Sequence, residues 1–164
     1  GDQTEVFWSS TPSSGIAAIS AALQADGGVR TVGTLPIPGD PIRLALWNND
    51  IYIVKQGGPA PGGGGLYRLS KQGDGGAATR LVQQDLQSSP RLAIYAPYVY
   101  YTDPTVGRIL RLSLDAPIPD GGLTVGASGG PEALFSSQPN PSGIAVDANY
   151  IYWVTNAGLV RALK

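Results

Sequence analysis

Three times along the chain an apolar strand entered through proline is followed by a short turn and a second, aromatic strand. The pairs are Pro41 to Leu46 with Ile51 to Val54, Pro90 to Ile94 with Val99 to Thr102, and Pro141 to Val146 with Ile151 to Val154. Their central alanines, Ala45, Ala93 and Ala145, recur after 48 and then 52 residues. That period matches a four-stranded propeller blade and exceeds those of the common helical repeats. A Gly-containing loop then leads to a further strand, Leu66 to Ser70, Ile109 to Ser113 and Leu159 to Leu163. A fourth copy of it, Ile16 to Ser20, follows Val6-Phe7-Trp8-Ser9, which matches the aromatic strand.

An Asp-Gly-Gly triplet punctuates the units at Asp26-Gly27-Gly28, Asp74-Gly75-Gly76 and Asp120-Gly121-Gly122. Such a triplet suits a reversal at positive φ, which glycine adopts without steric cost. The strand beyond each triplet, Arg30 to Val32, Thr79 to Val82 and Glu132 to Phe135, reads as the first of the next unit. The third linker carries Gly126 to Gly130 as an insertion.

This spacing predicts an all-β chain, a partial β-propeller of about three and a half four-stranded antiparallel blades. The cuts fall at 1–28 (a partial blade of third and fourth strands), 29–76, 77–122 and 123–164, all parts of one propeller domain. Half a blade does not close a ring. The remaining blades are therefore expected from residues ahead of Gly1 in a parent chain, or from another polypeptide. A symmetric pair would lack the same two strands in both copies.

Composition narrows the chemistry. The 42% apolar content supports a packed core, and 23 glycines with 14 prolines act as punctuation between regular strands. With net charge −1 and no basic stripe, nucleic-acid binding is not expected. Histidine, cysteine and methionine are absent, so no imidazole base, thiolate nucleophile or disulfide comes from these residues. No apolar run reaches the roughly 18 to 20 residues of a membrane helix. Asn140 precedes Pro141, which removes it as a glycosylation acceptor.

β-Branched and aromatic residues dominate the candidate strands. The alanine column lets blades approach, and its larger neighbours, such as Leu44, Leu92 and Ile144, fill the space between them. Tyr52, Tyr100 and Tyr152, with Phe7, form an aromatic column suited to packing between blades, each hydroxyl finding a polar partner. Arg68, Arg111 and Arg161, replaced by Ala18 in the partial unit, read as a charged outer edge that discourages edge pairing.

The segment Gly129-Gly130-Pro131-Glu132-Ala133-Leu134-Phe135-Ser136-Ser137-Gln138, continuing through Pro141 to Asp147 and Ile151-Tyr152-Trp153, resembles bacterial repeats of the NHL and YWTD-like propeller superfamily. Tyr100-Tyr101-Thr102-Asp103 is similar to the YWTD signature, with tyrosine for tryptophan. The resemblance covers nearly the whole chain. It implies the propeller fold and a secreted, periplasmic or cell-surface location, and it leaves function open because the superfamily hosts receptors, adhesins, lyases and lactonases. Only one of four copies keeps the Thr-Asp pair, so blade cohesion is expected to rest more on apolar packing.

Gly57 to Gly65, the most glycine-dense stretch, precedes a strand and lacks the helix and Lys-Ser/Thr pair of a phosphate cradle, so it reads as a loop. Asp40, Asp50, Asp120 and Asp147 are candidates for calcium on one face of the ring, against the commoner role of aspartate in capping turns. No other cofactor is expected. The main expectation is a non-catalytic module binding a protein, peptide or glycan through loops that rigid blades hold in place. Its candidate ligand-binding residues lie in the turns after the proline-entered strands: Trp47, Asn48 and Asn49, then Tyr95 and Tyr98, then Asn149 and Tyr150. The alternatives are a metal-dependent, lactonase-like hydrolase or lyase using acids with Asn48, Asn49 and Asn149 or residues outside this chain, and a structural subunit of an extracellular assembly.

Overall fold

The computed structural model describes residues 5–10, 18–23, 28–35, 41–57, 63–86 and 88–164. Within them run β1 (Glu5–Ser10), β2 (Ala18–Leu23), β3 (Val29–Thr34), β4 (Pro41–Trp47), β5 (Asp50–Lys55), β6 (Gly65–Ser70) and β7 (Thr79–Gln83). The second half holds β8 (Leu92–Tyr95), β9 (Tyr98–Asp103), β10 (Arg108–Ser113), β11 (Glu132–Phe135), β12 (Ser142–Val146), β13 (Tyr150–Thr155) and β14 (Gly158–Leu163). These strands pair into four antiparallel sheets in sequence order: β1 to β3, β4 to β7, β8 to β11, and β12 to β14, called sheets 1 to 4. The all-β, four-stranded antiparallel unit is as expected.

The unit boundaries are not. The strand beyond each Asp-Gly-Gly triplet pairs backward as the outermost strand of the same sheet: β3 on β2, β7 on β6 and β11 on β10. Sheets therefore span 5–34, 41–83, 92–135 and 142–163, offset from the cuts at 28, 76 and 122. The triplet's neighbourhood explains the difference. Before turning back, each linker lays one parallel bridge on the outer strand of the preceding sheet, Thr34 to Ala77 and Val82 to Leu123. Gly122, at φ 88°, passes so close to the Leu81 backbone that a Cβ would lie 3.3 Å from its carbonyl carbon. The crossing between sheets is instead made by the proline-containing segments 84–91 and 136–141.

Sheet 1 also differs from the expected pair of strands, since β3 completes a third. Its register corrects the fourth repeat copy. Ser9 pairs with Ile19, as Val54 pairs with Leu66, Thr102 with Ile109 and Val154 with Leu159. Ile19 thus stands at the Leu66 position, and Ala21, rather than Ala18, at that of the arginines. A bulge follows Ile19, Leu66 and Ile109 alike in the pairing to the outer strand, which confirms the alignment independently. Ile16, Ala17, Asp26, Gly27, Asp40 and positions 58–62 of the glycine-dense segment lie outside the described residues.

Consecutive sheets stack face to face. Phe7, Ile19, Ala21 and Val32 of sheet 1 pack against Ile51, Ile53, Tyr67 and Leu69 of sheet 2. Tyr52, Leu66 and Val82 meet Val99 and Leu112 of sheet 3, and Val54 meets Tyr101 and Leu110. Tyr100 and Ile109 meet Ile151 and Trp153 of sheet 4. The tyrosine column does separate the sheets as expected at Tyr52 and Tyr100, and each buried aliphatic side chain at the Leu66 position contributes roughly 1.5–3 kcal/mol.

Polar ties supplement this packing. Tyr101 donates its hydroxyl hydrogen to Gln84 Oε1 at 3.0 Å, and Trp153 Nε1 donates to Gln138 Oε1 at 3.1 Å, both glutamines lying in the crossing segments. Gln84 Nε2 donates to buried Asp103, which also accepts from Arg108 at 2.9 Å and from the Thr105 amide at 3.1 Å. The Arg91 amide donates to Thr102 Oγ1 at 2.9 Å. The Thr-Asp pair of sheet 3 thus ties the crossing and the β9–β10 turn together, while the glutamine tie recurs at both described crossings.

Candidate functional site

The turns β4–β5, β8–β9 and β12–β13 carry all seven residues singled out from the sequence, and β8 lies between β4 and β12 in the array. In sheet 2, Trp47, Asn48 and Asn49 are exposed, with Asn48 at φ 48°, a left-handed conformation that asparagine tolerates well. Lys71 holds this turn from behind, its amide donating to Asn49 O at 2.8 Å and its ammonium to Asn48 O.

In sheets 3 and 4 the corresponding residues come together through three cations, of which the sequence reading named only the two arginines. Lys164 Nζ sits 3.5 Å from the Tyr95 ring centroid and donates to Asp147 O at 2.9 Å, while its amide donates to Asn149 O. One lysine thereby joins the turns of two sheets. The Arg111 guanidinium lies over Tyr98 at 4.7 Å, and that of Arg161 over Tyr150 at 4.6 Å. Each such cation–π contact contributes about 0.5–1 kcal/mol at an exposed site.

Arg161 stands on the expected edge strand, β14, whereas Arg68 and Arg111 lie on interior strands. Register sets Arg68, Arg111 and Arg161 directly across from Tyr52, Tyr100 and Tyr152. In sheets 2 and 3 the edge belongs to β7 and β11. Their guanidinium groups therefore bridge the two tyrosines of each repeat in sheets 3 and 4. In sheet 2, aspartate replaces the first tyrosine. Desolvation raises the Tyr52 and Tyr100 pKa, and the facing arginine pulls each the other way. A two-residue aromatic period on the third strand with arginine at the facing register was the available sequence signal.

Asp147 caps its turn. Its Oδ1 accepts the amides of Asn149 and Tyr150, both at 2.8 Å, and Oδ2 accepts the Tyr152 hydroxyl. Those bonds hold its carboxyl below the usual range. Among the described residues no three of Asp, Glu, His or Cys group closely enough to hold a metal ion. Asp50 instead lines an open polar groove of about 510 Å³ on sheet 2 with Arg68, Ser70, Asp74 and Thr79. This groove begins beside the Trp47–Asn49 turn, since Asp50 ends it.

No family model matches the chain, and no curated protein sequence matches it. Solved structures do. A putative 6-phosphogluconolactonase from Bacteroides uniformis superposes with a TM-score of 0.62 at 20% identity, over 98% of this chain and 50% of its own. A chain of the nidogen/laminin complex superposes with a TM-score of 0.60 at 17% identity, over 99% of this chain and 61% of its own. The fold is a partial β-propeller. This chain thus spans about half to three-fifths of the propeller-like chains it matches, and at these identities the likeness speaks for architecture alone. Among the described residues no helix is long and apolar enough to cross a membrane.

Proposed function

We propose that this chain is a non-catalytic binding module, part of an exported bacterial propeller of the NHL and YWTD-like kind, which engages a protein, peptide or glycan through one end of its sheets. The observation that carries the reading is the row of aromatic rings and cations at that end: Tyr95 with Lys164, Tyr98 with Arg111, and Tyr150 with Arg161. Rings held by fixed cations present flat, low-entropy faces, and the exposed Asn49 and Asn149 add amide donors and acceptors beside them. Next to this row, the Asp50, Arg68 and Asp74 groove offers charged groups of both signs to hydroxyls or peptide polar groups. The reading needs no cofactor and no nucleic acid. The matched chain from the nidogen/laminin complex supports a protein-binding use of this architecture.

The test is a glycan and peptide array probed with the purified chain, followed by titration of any hit against a variant with Trp47, Asn48, Asn49, Tyr95, Tyr98, Asn149 and Tyr150 all replaced by alanine. Affinity is expected to fall by roughly tenfold or more, the scale of losing one or two aromatic anchors. A loss of less than a few-fold rejects this face as the binding surface.

A further inference from the structure

Sheet 2 has a neighbour on both faces, unlike sheet 4, whose Leu159 is exposed at the end of the array. The Asp50 groove therefore belongs to the interior of the array, and the next sheet shows what fills the same place there. In sheet 3 the repeat arginine is held from two sides. The Arg111 guanidinium lies over the Tyr98 ring at 4.7 Å, and its Nε donates to Glu132 Oε2 at 2.9 Å. Tyr98 precedes by two residues the Tyr100 that faces Arg111, and Glu132 lies directly across from Arg111 on the outer strand.

In sheet 2 both partners are replaced. Asp50 stands at the Tyr98 position and Thr79 at the Glu132 position. Half-buried Arg68 faces Tyr52, yet among the described residues no ring lies over its guanidinium and no carboxylate forms an ion pair with it. Where sheet 3 has a ring and an acid, sheet 2 has an open groove of about 510 Å³, within the roughly 300–1,000 Å³ of ligand sites. Asp74 and Gly76 of the punctuating triplet form part of its wall.

We propose that this groove takes the phenol ring of a tyrosine side chain on a partner polypeptide, stacked on Arg68 with its hydroxyl donating to Asp50 or Asp74. The proposal rests on the binding reading above and names what that surface takes in. Both contacts have precedents within the chain. The Tyr98 and Tyr150 rings lie against Arg111 and Arg161 at 4.7 and 4.6 Å, and the Tyr152 hydroxyl donates to Asp147 Oδ2 at 2.8 Å. With two carboxylates to one guanidinium, the lining favours a neutral ring that carries a donor over an anionic one. The groove begins beside the exposed Trp47–Asn49 turn, so residues flanking the tyrosine reach that turn while the ring lies inside.

Titration of N-acetyl-L-tyrosinamide into the 164-residue chain, followed by amide NMR shifts, tests this. Saturable shifts are expected at Gly76, Ala77 and Thr79, with a dissociation constant in about the millimolar range, the scale of one anchored side chain. N-acetyl-L-phenylalaninamide, which lacks the hydroxyl, is expected to bind about tenfold more weakly, the scale of one hydrogen bond to a charged group. Asp50→Tyr puts into the groove the ring that sheets 3 and 4 carry, and it is expected to keep the fold by circular dichroism and to abolish the shifts. Arg68→Lys keeps the charge but loses the planar face, and is expected to weaken binding about fivefold, the scale of one cation–π contact. Unsaturated shifts, equal binding of the two probes, binding that survives Asp50→Tyr, or binding unchanged in Arg68→Lys each overturns the proposal. Its failure is separable from that of the binding reading. A ligand lost on the seven-alanine variant but retained by Asp50→Tyr upholds the aromatic row and overturns the groove, whereas saturable tyrosinamide binding that the seven-alanine variant leaves unchanged upholds the groove without the row.

Discussion

Trp153 donates its indole hydrogen to Gln138 Oε1 at 3.1 Å, at the repeat position where Tyr101 donates its hydroxyl to Gln84 at 3.0 Å. Each pair fastens a crossing segment to the sheet it leads into, and Phe135 stacks on the Trp153 ring at 4.8 Å between centroids. Gln138→Ala leaves the N–H of a buried indole unpaired and is expected to cost about 1–3 kcal/mol. Gln138→Glu keeps an acceptor and is expected to lose less. Urea unfolding followed by tryptophan fluorescence measures both, and equal losses would reject the hydrogen bond as the cause.

Asp103 is buried and takes hydrogen bonds from Gln84, Arg108 and the Thr105 amide. Removing it strands the Arg108 guanidinium, which retains some solvent contact. Asp103→Ala is expected to destabilise by roughly 3 kcal/mol, the lower end of the range for breaking a buried pair. A midpoint of denaturation within error of wild type would show that the pair carries no net weight.

Gly107 stands at φ 69°, and a Cβ there would lie 2.4 Å from Gln138 O. The Gln138 amide also donates to Gly107 O at 2.9 Å, so the β9–β10 turn and the crossing to sheet 4 meet at this glycine. Gly107→Ala is expected to cost about 1–3 kcal/mol through left-handed strain and displacement of the crossing. A thermal shift no larger than that of Gly126→Ala, also at positive φ but with open space around it, would refute the contact argument.

Burial raises the pKa of Tyr52, Tyr100 and Tyr101, most strongly at Tyr101, where desolvation is the largest cause. The unfolded chain ionises first, so the stability these groups lend is full below the ordinary tyrosine value and is lost as pH rises through the raised ones. Unfolding is therefore expected to become easier above about pH 10. Tyrosinate absorbance should appear in two stages, exposed rings first and the buried ones only with loss of the sheets. A single titration complete before the circular dichroism changes would contradict this.

Asp147 behaves in the opposite sense. The Asn149 and Tyr150 amides hold its carboxyl low, so the β12–β13 turn is secure above the usual carboxylate value and loosens as pH falls through the depressed one. Amide exchange at Asn149 and Tyr150 is expected to accelerate only in strong acid. Acceleration already at the ordinary aspartate value would reject the capping bonds.

The repeat, its four strands per unit and the side-chain columns were legible in the sequence because strand periodicity and turn chemistry are local. Ala45, Ala93 and Ala145 sit across from Tyr52, Tyr100 and Tyr152, so the two columns recur at one register in each unit. Where β3, β7 and β11 belong was not local information. An apolar strand after a turn pairs equally well forward or backward, and only the bridges Thr34 to Ala77 and Val82 to Leu123 decide that the linker first visits the preceding sheet. The candidate turns were found from their aromatic and amide residues, yet the cations that organise them arrive from β10, β14 and Lys164, across hairpins and between sheets. Likewise Leu159 reads from sequence as the equal of Leu66 and Ile109. Its exposure follows from stacking, since whether an apolar side chain is buried depends on what lies across from it and not on the strand that carries it.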